Sequence, residues 1–356
     1  MKKPLLFEVY PDLENSIAWL PLINKTKVHK LKALGEYLGT NDLWIKRDDQ
    51  TTEFYGGNKP RKLEFLFADA KRKNKDPIIT IGGLGSNHCL ATAIFGQKLG
   101  FKVALILFKQ PFSIDVQRKL LLFQYFKAEM FYEETIKTDQ GLLKHYPNAY
   151  FITGGGSDQI GILGFVNAAF ELKNQIEQGE MPLPKYIFLA LGSGGTLAGL
   201  EIGIKLANIN TKVIGVRVID KSTTSPALVR SLLKKTLKNL KIFSDKIPDI
   251  QIQKSIIIDD FYGGEYGKVT KEGLEALQLM KKFENIELDT TYTAKTFAAM
   301  INFIKKENFK EPILFWNTYN SVDLSQFVKK LKFKDYKSLP EDFHQFFKKR
   351  LFLLNE

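Results

Sequence analysis

Apolar residues along this chain fall into short unbroken runs, separated by longer stretches where they recur every three or four positions. The runs at 78–81, 103–108, 150–152, 186–191, 213–218 and 313–316, with a shorter one at 43–47, show little polar alternation. Such runs predict strands covered on both faces, the condition of parallel strands in α/β domains. Helices are predicted over 62–73, 115–126, 270–283 and 294–306, and from three glycine-rich turns to about 99, 178 and 207. In the first of these, Leu63, Leu66, Phe67 and Ala70 share one face. Residues 225–246 read as a lysine-rich helix with a surface loop, and residues 1–40, broken by Pro4, Pro11 and Pro21, as irregular. Alternating strands and helices predict three-layer α/β architecture with mainly parallel sheets.

The glycine-rich turns are Gly82-Gly83-Leu84-Gly85-Ser86-Asn87, Gly154-Gly155-Gly156-Ser157 and Gly192-Ser193-Gly194-Gly195-Thr196, each at a predicted strand end. Ligands of open α/β sheets bind outside the carboxyl ends of the strands. Three such loops together indicate a cofactor enzyme more strongly than any one does. A further pair, Gly56-Gly57, precedes Asn58-Lys59-Pro60 and a helical pattern. Proline suits a first helical turn. Lys59 therefore stands at a strand-to-helix corner, from which a side chain can reach into a cleft. Taken alone, that stretch reads more simply as a turn with a solvated lysine.

The 356 residues suffice for two domains, and 44% hydrophobic with 26% charged residues excludes a disordered or fibrous chain. The net charge of +13 is spread through every segment, without an arginine-rich block, zinc-finger spacing or RNA-binding aromatic motif. No nucleic acid is expected as a partner, and local positive charge suits small anions better. Cys89 is the only cysteine, which fits a reducing compartment. Glu8 and Asp12 interrupt the first apolar run, and no run is long enough to cross a bilayer, so a cytoplasmic protein without a membrane partner is expected. His29, His145 and His344 lack metal-ligand spacing, and no metal is expected. The tail 329–356 carries Phe333, Phe343, Phe346, Phe347 and Phe352 among lysines, and is expected to dock on its own domain as an amphipathic helix.

A glycine-rich turn opening a helix offers N–H groups and a positive dipole end to phosphate. A P-loop needs Gly-Lys-Ser/Thr at its close, and none occurs. A dinucleotide site needs G-x-G-x-x-G. After Leu191 the spacing gives Gly192, Gly194 and then Leu197, with Asp220 following the next strand, so a dehydrogenase is only partly matched. The third class is a monophosphate cofactor also held covalently by a lysine, namely pyridoxal phosphate. Gly192-Ser193-Gly194-Gly195-Thr196 supplies backbone donors and two hydroxyls for one phosphate.

The stretches IKRDD, GGNKPRKLEFL, GGLGSNH, TGGGSDQIGILGF, ALGSGGTLAGL, EYGKVTKEG and LDTTYTAK stand in one order between about Trp19 and Val322. Together they resemble the 1-aminocyclopropane-1-carboxylate deaminase / D-cysteine desulfhydrase family, pyridoxal phosphate enzymes of the tryptophan synthase β-type fold (fold type II). The resemblance implies a large cofactor-binding domain, 1–54 with 169–356, and a small domain, 55–168, carrying the covalent lysine and the Ser-Asn-His turn. It implies that Lys59 is the Schiff-base lysine and proton shuttle, and that Asn87 bonds the cofactor's phenolic oxygen. Ser86 falls beside the substrate, with Ser86, Asn87 and His88 around its carboxylate. Gly192, Ser193, Gly194, Gly195 and Thr196 match the phosphate loop. Tyr292 and Tyr266 match active-site tyrosines, Thr293 a position at the substrate, and Thr318 the group facing the pyridine nitrogen. A hydroxyl there leaves that nitrogen unprotonated, a milder electron sink suited to β-elimination. The implied partners are a small amino-acid substrate and a second copy of the chain in a homodimer.

Thr293 and Thr318 agree with the desulfhydrase branch, where the deaminase branch has glutamate and leucine. D-cysteine is thus the expected substrate, with 1-aminocyclopropane-1-carboxylate or another β-substituted amino acid as alternatives. Two departures bear on it: Leu84-Gly85 replaces the family's Ile-Gln, and Tyr319-Asn320 replaces its Gly-Gly. Both lie where a substrate is held, and the second should narrow or reshape the pocket. Outside the resemblance the same residues allow plainer roles. Ser86 can simply cap a helix, His88 can be a packed first-turn histidine, and Cys89 reads as a small core residue. An NAD-dependent dehydrogenase and a non-catalytic amino-acid binder remain readings from other classes.

Overall fold

The structure is a computed structural model that describes residues 3–134 and 144–348. Among these, ten strands form two sheets: β1 (Val28–Lys30), β2 (Leu43–Lys46), β3 (Ile78–Gly83), β4 (Val103–Phe108), β5 (Glu129–Glu133), β6 (Tyr150–Ile152), β7 (Tyr186–Leu191), β8 (Lys212–Arg217), β9 (Ile256–Ile258) and β10 (Ile313–Trp316). One sheet runs β1-β2-β10-β7-β8-β9, the other β5-β4-β3-β6. Only β1 against β2 is antiparallel. The architecture is the expected α/β class with mainly parallel sheets.

Each central strand buries both faces. In β7, Ile187, Leu189 and Leu191 pack with helices Leu163–Glu177 and Gly195–Leu206, while Phe188 packs with helices Lys271–Glu284 and Thr293–Glu307 on the other side. That alternation explains the unbroken apolar runs. In β3, Ile78 joins the core under helix Asn87–Leu99, and Ile79 and Ile81 face a smaller cluster. Strands β1, β5 and β9 were not expected. All three are edge strands, and an edge strand needs no continuous apolar run.

The first forty residues are more ordered than expected, with helices Leu5–Val9 and Lys32–Leu38. The first is too short to hold itself together. Leu6 and Phe7 are buried against the main core, and Leu6 N donates to Asn167 Oδ1 at 3.1 Å. The C-terminal stretch docks as expected, but as two 3-10 segments, Phe333–Ser338 and Glu341–Phe347, not as an amphipathic α-helix. Leu331, Leu339, Phe343 and Phe347 enter the core of the four-stranded unit. Phe352 lies outside the described residues. Within the described residues no helix is long and apolar enough to cross a membrane.

A buried ionic network joins the six-stranded sheet to helix Lys59–Arg72. Arg61 Nε and Nη2 donate to Asp48 at 2.8 and 2.7 Å, and Nη1 and Nη2 to Glu171 at 3.1 and 3.0 Å. Lys46 of β2 bonds Glu171, and Trp316 of β10 donates from Nε1 to Asp48 at 2.6 Å. Paired with two cations, the Glu171 carboxyl titrates well below the usual carboxylate range despite burial. The helix bearing Glu171 lies so close that a Cβ at Gly164 would sit 2.0 Å from Arg61 O. Replacing Arg61 by methionine strands two buried acids. Urea unfolding should show a loss of about 3–5 kcal/mol. A change below about 1 kcal/mol, the scale of an exposed pair, would show that the network is not a fastener.

Candidate active site

The turn before Lys59 has no room for side chains. A Cβ at Gly56 would lie 1.8 Å from Asp49 O, and Gly57 has φ +91°, a left-handed conformation that favours glycine. The turn is tied by Gly57 N to Asp48 O at 2.7 Å and by Gly56 N to Asn320 Oδ1 at 2.6 Å. Asn320, expected to crowd the pocket, thus clamps the backbone beside it. Asn58 Nδ2 donates to Thr196 Oγ1 at 3.1 Å, linking this turn to the loop after β7.

Lys59 opens helix Lys59–Arg72 and borders a cavity of about 430 Å³. Its ammonium forms no hydrogen bond among the described residues, and burial lowers its pKa to about 8. One turn on, Lys62 Nζ donates to Gly155 O at 2.9 Å and Ser157 Oγ at 3.0 Å. Burial, then the neighbouring Lys59, hold the Lys62 pKa well below the ordinary lysine range. Ser157 Oγ in turn meets Ser193 Oγ at 2.7 Å. A Cβ at Gly195 would lie 2.4 Å from Ser157 Oγ and 2.8 Å from Lys62 Nζ. Sequence reasoning missed Lys62, Ser157 and Asn58. The signal for Lys62 was its spacing, since residues three apart share a helix face.

The loop Gly192–Thr196 leads into helix Gly195–Leu206, with Gly194 at φ +87°. Its first N–H groups have no intrahelical partner and favour an anion. Across the cavity, Ser86 caps helix Asn87–Leu99 by accepting from Cys89 N at 3.2 Å. Asn87 Oδ1 accepts from Tyr55 Oη at 3.3 Å. His88 is buried. Thr80 Oγ1 donates to Ile152 O at 2.9 Å, so it accepts from His88 Nε2 at 2.9 Å, which leaves Nδ1 unprotonated and unpartnered. Burial, then Lys59 and Lys62, keep this imidazole neutral. Cys89 is fully buried, its thiol pushed up to about 12 by burial, as befits a core residue.

Tyr266 and Tyr292 meet hydroxyl to hydroxyl at 2.5 Å. Burial raises both, Tyr266 to about 12 and Tyr292 further. Tyr292 is held by Asp289, whose carboxylate accepts from the N–H groups of Thr291, Tyr292 and Thr293 at 2.9, 2.6 and 3.1 Å. Thr293 is buried, its hydroxyl donates to Asp289 at 2.7 Å, and it does not line the cavity. Adjacent helical residues point about 100° apart, so the neighbour of a site tyrosine need not share the site. Lys59, Ser86, Asn87, His88, Gly192, Ser193, Gly194, Thr196, Tyr266, Tyr292 and Thr318 all border the one cavity, and Gly195 lies behind it against Lys62.

This donor set fits pyridoxal phosphate. A helix N-terminus and the Ser193 and Thr196 hydroxyls border one cavity, with Lys62 packed behind Gly195, and a half-buried unpartnered lysine, Lys59, borders the same cavity.

Residues 20–318 match a family model described as pyridoxal-phosphate dependent enzyme. The chain is 32% identical over 326 residues to a D-cysteine desulfhydrase of Serratia proteamaculans, covering 86% of this chain and 96% of that protein. It is also 32% identical over 328 residues to a Pyrococcus furiosus protein whose name proposes a 1-aminocyclopropane-1-carboxylate deaminase, covering 87% and 95%. A solved structure of an ACC deaminase homologue superposes with a TM-score of 0.75 at 29% identity, covering 90% of this chain and 96% of that one. Threonine deaminase of Solanum lycopersicum, 17% identical with a TM-score of 0.62, shares the fold, covering 92% of each chain.

The lowered Lys59 pKa has a consequence for the cofactor-free protein. The unfolded chain binds this proton up to about 10.5 and the folded chain only to about 8, so this group's cost is full below about 8 and stability rises with pH across that window. Lys59→Met should raise the melting temperature of cofactor-free protein near neutral pH, and the advantage should shrink between pH 8 and 10.5. A pH-independent difference would contradict the depressed pKa.

Proposed function

The chain belongs to the pyridoxal-phosphate-dependent enzyme family, and on that premise we propose that it catalyses α,β-elimination on a small amino acid. The favoured substrate is D-cysteine, which with water gives pyruvate, sulfide and ammonia. The observation that carries this reading is the Lys59 ammonium, unpartnered in the cavity, with a pKa near 8 and the Gly192–Thr196 loop in the same wall.

Ser193, Thr196 and the N–H groups of Gly192–Thr196 would hold the phosphate, with Lys62 behind them at Gly195. Asn87 would bond the phenolic oxygen, and Thr318 would supply a hydroxyl to the pyridine nitrogen. Pyridoxal phosphate, when bound, stores the electron pair released as a bond to the substrate's Cα breaks. The N-terminus of helix Asn87–Leu99, with Ser86, Asn87 and His88, holds the substrate carboxylate. Lys59, its pKa close to neutral, takes the Cα proton, because a base is most effective when its pKa lies near the working pH. Tyr266 and Tyr292 stay protonated at neutral pH, so their part is to give a proton to the departing β-substituent, one hydroxyl resupplying the other.

D-cysteine is favoured over ring opening of 1-aminocyclopropane-1-carboxylate on residue 318, a hydroxyl bordering the cavity where the deaminase branch has leucine; residue 293, glutamate in that branch, is here a buried threonine bound to Asp289. The curated relatives carry both names, so the deaminase remains the second reading. The same reading has residues 55–168 as a small domain and 1–54 with 169–356 as the large one, in a cytoplasmic homodimer.

A panel of D- and L-amino acids, read by pyruvate, sulfide and ammonia, tests this. Wild type should release pyruvate and sulfide from D-cysteine, and Lys59→Ala should lower the rate by roughly two to four orders of magnitude. Release of 2-oxobutanoate from 1-aminocyclopropane-1-carboxylate without D-cysteine turnover would favour the deaminase. Cofactor-loaded protein that releases no 2-oxo acid from any member would mark a non-catalytic binder.

A further inference from the structure

Gly85 directly precedes the Ser86-Asn87-His88 turn, where the related family carries glutamine. Its φ is not positive, so conformation does not demand glycine here; space does. A Cβ at Gly85 would lie 2.9 Å from Gln110 Nε2 and 3.2 Å from Val116 Cγ2. One at Gly83 would lie 2.2 Å from Gln110 Oε1. Gln110, two residues beyond β4, folds its side chain back over the end of β3 and fills the volume in which a residue-85 side chain would begin.

The bonding is specific as well as the packing. Gly85 N donates to Gln110 Oε1 at 3.0 Å, and Gly85 O accepts from Lys119 Nζ at 2.9 Å. Side chains from two other elements therefore hold both polar groups of this residue. Because a backbone N–H must meet oxygen, the Gln110 amide orientation is set, and Nε2 keeps its two N–H donors. Among the described residues Nε2 has no hydrogen-bond partner, and Gln110 borders both the inner cavity and the cleft that opens onto it.

We propose that Gln110 is a specificity-determining residue: its amide stands in for the side chain absent at Gly85 and donates from Nε2 to the carboxylate of the amino-acid substrate. The carboxylate is the acceptor of choice because Gln110 flanks the N-terminus of the thirteen-residue helix Asn87–Leu99, whose first N–H groups already favour an anion. The inference rests on the amino-acid reading of the site.

Cofactor-loaded protein is titrated with D- and L-alanine and with the matching alaninamides, following the cofactor absorbance. Gln110→Met keeps the volume and removes the donor. It should weaken the alanine that binds by about tenfold or more, and the alaninamide by no more than about twofold, since a hydrogen bond to a charged group is the stronger kind. Gln110→Glu, close in size but repulsive, should weaken alanine further. Combining Gln110→Ala with Gly85→Gln should recover most of the affinity. Equal losses for alanine and alaninamide, or wild-type binding by Gln110→Met, overturn the proposal while leaving the cofactor reading intact. Wild-type protein that takes up no pyridoxal phosphate sinks the site reading and this inference with it.

Discussion

The site depends on where Arg61 is held. Buried and doubly paired to Asp48 and Glu171, it fixes the start of one helix against the end of the six-stranded sheet. Lys59 lies two residues before it and Lys62 one after, so fixing Arg61 sets the direction of both lysines. The desolvation of so many charges is costly, and an apolar cluster of equal volume would stabilise the fold at least as well. What the ionic version adds is orientation: a guanidinium fork bonded to two carboxylates allows one register of the helix, where apolar packing tolerates several.

Environment then gives two lysines on one helix face different roles. Lys62 is bonded to Gly155 and Ser157 behind the loop after β7, where burial and the Lys59 charge both disfavour its own charge. Lys59 is left without a hydrogen bond, its charge resisted by burial, in the state a nucleophile or proton carrier needs. The opposite wall is organised the same way. Asp289 gathers three backbone N–H groups and so places Tyr292, which in turn bonds Tyr266. Lys59 and Tyr292 are thus each placed by a neighbour, Arg61 for the first and Asp289 for the second.

Much of this was legible in the sequence, for physical reasons. Strands buried on both faces must be unbroken apolar runs, and turns that approach a ligand or another backbone must be glycine, so the central strands and the loops could be read directly. The edge strands β1, β5 and β9 carry no such obligation and were missed. That Asn58, Asp289 and Gln110 border the cavity, with Lys62 behind it, was not legible, because their placement depends on partners 25 to 138 positions away or on a local turn that spacing does not reveal. Thr293, which the resemblance implied at the substrate, is turned instead to Asp289. Asn320 borders the cavity as expected, but spacing could not show that its side chain also holds the Gly56 turn.

The proposed function rests on Lys59, and not its neighbour Lys62, being the covalent anchor of the cofactor. The most direct measurement is borohydride reduction of the cofactor-loaded protein, followed by peptide mapping by mass spectrometry. The expected result is a pyridoxyl adduct on Lys59 alone. An adduct on Lys62, or none on either lysine, would contradict the arrangement.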